Sequence, residues 1–135
     1  MIAGRRALAE TSFGIATIDL DDDELVSLEP GEPLVRPVAE GVSLPRLVAA
    51  DAFGARIVAV VDARPPVLIS DDAGATWREA GGGLPRGCAV SISREHPDLV
   101  LFASETRVYV SSDGGRFWHA LAPELEAIVA VAWDD

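Results

Sequence analysis

Four residues recur at the same offsets twice in this chain. They are Ser70, Asp72, Gly74 and Trp77 in "SDDAGATW", and Ser111, Asp113, Gly115 and Trp118 in "SSDGGRFW". A shift of 41 residues superposes them, and the match continues upstream without a gap: Val60 on Leu101, Val61 on Phe102, Val67 on Val108, Ile69 on Val110. Downstream, Leu84 falls on Leu125. An internal repeat constrains a fold more than composition does. Each copy must be one supersecondary unit that buries its apolar face against a neighbouring copy.

Within each copy the pattern reads as strands. "RIVAVVD" and "LVLFAS" are short apolar runs, and "PVLIS" and "RVYVS" are rich in β-branched residues and end in turn chemistry. A short strand is expected after each Trp, and a further strand precedes each copy, "RLVAAD" at 46–51 and "CAVSIS" at 88–93. The Ser-x-Asp-x-Gly segment then joins the last two strands. Gly74 and Gly115 supply the positive φ that a tight reversal needs. The Asp and Ser side chains can accept hydrogen bonds from backbone N–H groups in the turn, and Trp77 and Trp118 cover the hairpins. Ser70, Asp72, Gly74, Trp77, Ser111, Asp113, Gly115 and Trp118 are thus read as a structural device, with no catalytic residue among them.

Both segments match the pattern S-x-D-x-G-x-x-W, and the chain resembles the β-propellers that carry this Asp-box, or BNR repeat: sialidases, sortilin-like receptors and photosystem-assembly propellers. The resemblance implies an all-β fold of four-stranded antiparallel blades, with the box between the third and fourth strands and away from the ligand face. A degraded third copy lies at the N-terminus. A shift of 93 residues puts Leu8 on Leu101, Ile15 on Val108, Thr17 on Val110 and Leu25 on Trp118, the box itself being replaced by "DLDDDELV". The expected organisation is one domain, 1–135. Blade 1 is about 5–30 plus a C-terminal strand at 128–134, blade 2 about 46–84 and blade 3 about 88–125. A long Pro/Gly-rich connection, 29–45, separates the first two.

Three blades do not close a ring, since known propellers have roughly four to eight, and open sheet edges invite association. The sequence therefore predicts a homodimer of six blades, each C-terminal strand completing the partner's first blade about a two-fold axis. A fragment of a larger ring is the rival arrangement.

Composition excludes several partners. Acids outnumber cations 22 to 11 and the net charge is −11; every cation is Arg, and Lys, Asn and Gln are absent. Nucleic acid and anionic membranes both demand a basic face. The single Cys88 forms no intrachain disulfide. Arg5 and Arg6 precede an apolar stretch that Glu10, Thr11 and Ser12 interrupt, so no signal peptide is read and a cytoplasmic location is expected.

By analogy with propellers, ligands meet the loops between second and third strands, here 10–13, 62–66 and 104–107, and the connections between blades. Arg36, Arg64, Arg86 and Arg107, with Glu10, Asp62 and Glu105, are the candidate ligand-binding set, because the planar guanidinium suits carboxylate or phosphate. Solvated loop charges are the ordinary alternative. Sialidases use an arginine triad, a Tyr nucleophile with a Glu partner and an acidic acid/base residue. Tyr109, the one Tyr, sits mid-strand where its repeat mate is Leu68, which reads as packing. The acidic run Asp19 to Glu24 lacks the spacing of a known Ca²⁺ loop. His96, His119 and Cys88 show no metal-ligand spacing, and "GGG" at 81–83 is no phosphate loop. No metal or cofactor is expected. The reading is a non-catalytic binding or assembly module with a carbohydrate or protein ligand. The alternative is a glycosidase-like hydrolase of the sialidase superfamily acting on a carbohydrate, and a degenerate half-propeller scaffold is a third possibility.

Overall fold

A computed structural model describes residues 5–37 and 41–134. The first four residues of the N-terminal stretch and residues 38–40 of the Pro/Gly-rich connection lie outside the described residues. Twelve strands run in chain order: β1 (Arg6–Thr11), β2 (Gly14–Asp19), β3 (Glu24–Glu29), β4 (Leu47–Phe53), β5 (Arg56–Val61), β6 (Val67–Ser70), β7 (Arg78–Ala80), β8 (Ala89–Ile92), β9 (Val100–Ala103), β10 (Arg107–Ser111), β11 (His119–Glu124) and β12 (Ala130–Trp133). They form three four-stranded antiparallel sheets. Sheet I has the order β12-β1-β2-β3, sheet II runs β4 to β7, and sheet III runs β8 to β11.

The two chain ends share sheet I. β12 pairs with β1 in the register Ala7 to Trp133 and Glu10 to Ala130. This corrects the expected exchange of C-terminal strands between two chains. β12 satisfies the edge of its own chain's first strand, and the short connection 125–129 delivers it there. Backbone bonds hold that connection in place, Ile128 N–H to the Glu105 carbonyl (2.8 Å) and Val129 N–H to the Glu10 carbonyl (3.0 Å).

Sheet III lies between the other two. Strand alternation sends successive side chains to opposite faces, and both faces of sheet III are apolar. Leu101, Ala103, Val108 and Val110 pack with Ala7, Ala16, Ile18 and Trp133 of sheet I. Val100, Phe102 and Ile92 pack with Val58, Val60, Val67 and Ile69 of sheet II. Hence β8 and β9 are buried at every position, the signature of strands covered on both sides.

Polar pins tie the layers together. Asp51 of β4 is 3% exposed. It accepts the Ile92 N–H at 2.8 Å and pairs with Arg94 Nη2 at 2.8 Å, so its buried charge is compensated from sheet III. Arg56 donates to the Pro97 carbonyl and pairs with Asp98, both at 2.9 Å. On the other side, Trp133 Nε1 donates to the Ser91 carbonyl at 3.0 Å.

Candidate functional site

The two Ser-x-Asp-x-Gly turns join β6 to β7 and β10 to β11, and they use their polar groups internally. Ser70 Oγ donates to Asp72 Oδ1 (2.7 Å) and accepts the Gly74 N–H (2.8 Å). Asp72 in turn accepts the Thr76 N–H at 2.8 Å and the Thr76 hydroxyl at 2.5 Å. In the second turn Ser111 Oγ donates to Asp113 Oδ1 (2.8 Å) and accepts the Gly115 N–H (2.9 Å), while Asp113 accepts from Arg116 and Phe117 N–H. These bonds stabilise the ionised carboxylates. The Thr76 hydroxyl and N–H bonds bring Asp72 down to about 2 from its ordinary 3.8. At Asp113 partial burial pushes upward, but the bonds from Phe117, Ser111 and Arg116 outweigh it and the pKa is lowered. Gly74 and Gly115 sit at φ of +93° and +91°. Both carboxylates are thus engaged by donors of their own turns.

At the opposite end of the sheets are the β1–β2, β5–β6 and β9–β10 loops and the connections between sheets. Here the structure brings three of the seven nominated residues together. Asp62, Arg64 and Arg86 line a cleft of about 290 Å³ with Arg46, Pro66 and Pro85. Arg86 Nε lies 3.2 Å from Asp62 Oδ1, both side chains being largely exposed. The Arg46 carbonyl accepts the Asp62 N–H at 2.9 Å and the Pro66 carbonyl accepts the Val61 N–H at 2.8 Å, fixing the loop mouth. Arg46 was not among the nominated residues. It lies one residue before β4, in a left-handed backbone conformation (φ +59°) that gives no signature in one sequence.

The other four nominated residues are elsewhere. Arg36 lines a smaller cavity of about 80 Å³ with Cys88 and residues of β4, β8 and β12. There burial pushes the Cys88 thiol up, Arg36 opposes that and Glu105 adds to it. The thiol donates to the Ile128 carbonyl at 3.2 Å. Glu10 accepts the Leu34 N–H at 3.0 Å, pinning the connection to sheet I. Arg107 pairs with Glu124 across β10 and β11 at 2.6 Å. Tyr109 packs edge-on to Phe102, ring centroids 5.9 Å apart. In the acidic run, Asp19 accepts the Asp21 and Asp22 N–H groups and Asp23 accepts the Ala122 N–H. Those two carboxylates hold the β2–β3 turn and bridge it to sheet III.

Chemically, three arginines and one aspartate line the cleft, in a chain of net charge −11. Its described lining contains no Ser, Thr, Cys, His or Tyr. Such a site can hold a planar anion through paired N–H donors. Asp62 is the one carboxylate among its described lining residues, with no second one to form an acid–base pair. No protein-family model, curated protein or solved structure matches this chain.

Proposed function

We propose that this protein is a non-catalytic binding module, a half β-propeller built on Asp-box hairpins, which captures an anionic group in the Arg46–Arg64–Arg86 cleft. The cleft carries the reading, because a strongly acidic chain gathers three of its cations at one loop end. The ring architecture is supported by the three stacked four-stranded sheets and by the paired box turns with the same internal hydrogen bonds. Acidic carbohydrates and carboxylate- or phosphate-bearing protein segments both present the required charge. The glycosidase-like alternative finds little support, since Tyr109 is packed and the cleft holds one carboxylate.

A glycan array followed by calorimetry tests this. Acidic glycans are expected to be retained and neutral ones not, and an Arg64→Ala, Arg86→Ala double variant is expected to lose at least tenfold in affinity. A fluorogenic glycoside panel run in parallel is expected to stay silent. Turnover that vanishes in Asp62→Asn would overturn the non-catalytic reading.

A further inference from the structure

The chain leaves two sheet faces only partly covered, and they are the two halves of an interface that it already makes twice. In sheet III, Leu101, Val108 and Val110 face sheet I, whereas Phe102, Tyr109 and Trp118 face sheet II. The repeat places Val60, Val67 and Ile69 of sheet II at the first set of positions, and these are the residues that receive Phe102 and Trp118. It places Leu8, Ile15 and Thr17 of sheet I at the same positions. In sheets II and III that set is buried to 1% or less, while in sheet I all three are half-buried. The second set corresponds in sheet II to Val61, Leu68 and Trp77. Val61 is buried at 4% exposure, whereas Leu68 and Trp77 are only half-buried and Leu47 beside Val61 is 39% exposed. Among the described residues no sheet packs on either face.

We infer that both faces are covered by a second copy of this chain. The Val61–Leu68–Trp77 face of sheet II in one copy meets the Leu8–Ile15–Thr17 face of sheet I in the other, twice, about a two-fold axis. The two faces are unlike and lie on opposite sides of sheet III, so one copy cannot join them and a head-to-tail contact is required. A ring of roughly four to eight units built in steps of three closes only at six. The occupant is argued by continuity with the interior interfaces, where the same two sets of positions already pack on each other. Residues 31–34 become part of the contact. Gly31 lies over Ile15, where a Cβ would come within 2.9 Å of Cγ1, and Leu34 is tied to Glu10, while Leu8 and Thr17 stay half-buried. The inference rests on the ring reading but not on the ligand. A monomer that still binds acidic glycans leaves the binding proposal standing, and a dimer that binds none leaves this one standing.

Light scattering on the full chain tests it. The wild type is expected at twice the chain mass of 14.2 kDa. Leu68→Glu and Thr17→Arg are each expected to halve that mass without changing the far-ultraviolet dichroism. An equimolar mixture of the two is expected to return to the dimer mass, because one contact is then wild type and the other sets opposite charges together. Should either charge variant fail to fold, a Thr17→Cys, Leu68→Cys chain in a Cys88→Ser background reads the same pairing, as an intermolecular disulfide dimer on a non-reducing gel. A monomeric wild type overturns the inference and leaves the faces to a different protein. A Thr17→Arg dimer, a mixture that stays monomeric, or polydisperse filaments overturn the two-fold pairing.

Discussion

Gly74 and Gly115 occupy the same place in the two turns, with φ of +93° and +91°, yet their replacement by Ala is expected to cost very different amounts. The backbone term is common to both, about 1–2 kcal/mol for an L-residue held in a left-handed conformation. The surroundings differ. A Cβ on Gly115 would stand 2.3 Å from Ile69 Cδ1, where carbon–carbon contacts prefer about 3.5–4.0 Å. Ile69 is 1% exposed in the core between sheets II and III, so its methyl has nowhere to retreat. Overpacking of this kind costs about 1–3 kcal/mol. A Cβ on Gly74 would meet Ile57 Cδ1 and Trp77 Cζ2 at 3.7 Å, an ordinary contact. Gly115→Ala should therefore lose about 2–5 kcal/mol and Gly74→Ala about 1–2 kcal/mol. The difference reports the sheet II–III packing alone, because the backbone term cancels. Urea unfolding with unchanged m-values measures both. It should be run at protein concentrations low enough that the midpoint no longer depends on them. Equal losses, or a larger loss at Gly74, would refute the argument that sheet III seats its turn against Ile69.

Other expectations follow from the same contacts. Because the folded pKa of Asp72 is depressed to about 2, its contribution to stability is complete above about pH 4 and is lost as the pH falls toward 2. Asp72→Asn should flatten the acid limb in that window, and a limb identical to wild type would show that the turn bonds are not stabilising in solution. Phe102 is fully buried, with Tyr109 and Trp118 rings edge-on at 5.9 Å, and Phe102→Ala should cost about 3–5 kcal/mol by thermal or urea unfolding. A loss under 1 kcal/mol would mean that the II–III core is loose. Cys88, half-buried with a raised pKa and its thiol bonded to Ile128, should react with a disulfide reagent at pH 8 roughly tenfold or more slowly than free cysteine. Arg36→Met should slow it further by removing the opposing charge, and a rate like that of the free amino acid would count against the cavity geometry.

Much of the architecture was legible in the chain because its determinants are local. The bonds of the Ser-x-Asp-x-Gly turns join residues two to four apart, so residue spacing and turn chemistry suffice to place them. Alternation in "PVLIS" and "RVYVS" shows strands for the same reason. The candidate site was less legible. Of Arg36, Arg64, Arg86 and Arg107, only Arg64 and Arg86 share a cleft, because they flank the same end of sheet II, on the β5–β6 loop and the connection into β8. Arg107 has a cross-strand partner in Glu124, a pairing set by the irregular register of β10 on β11. No count along the sequence predicts that register.

The sequence by itself determined that two hairpins with matching tips exist, that a third degenerate unit precedes them, and that an unpaired strand ends the chain. Those are consequences of side-chain period and of turns closed by their own residues. Only the tertiary structure decided that this last strand completes sheet I of its own chain, that Arg46 joins Arg64 and Arg86, and that, among the described residues, sheet III has a neighbouring sheet on both sides while sheets I and II have one on a single side. A strand edge offers the same N–H and C=O groups to any strand that reaches it. Which one arrives depends on how the sheets stack and how far the connections span, and neither is written in any short stretch of residues.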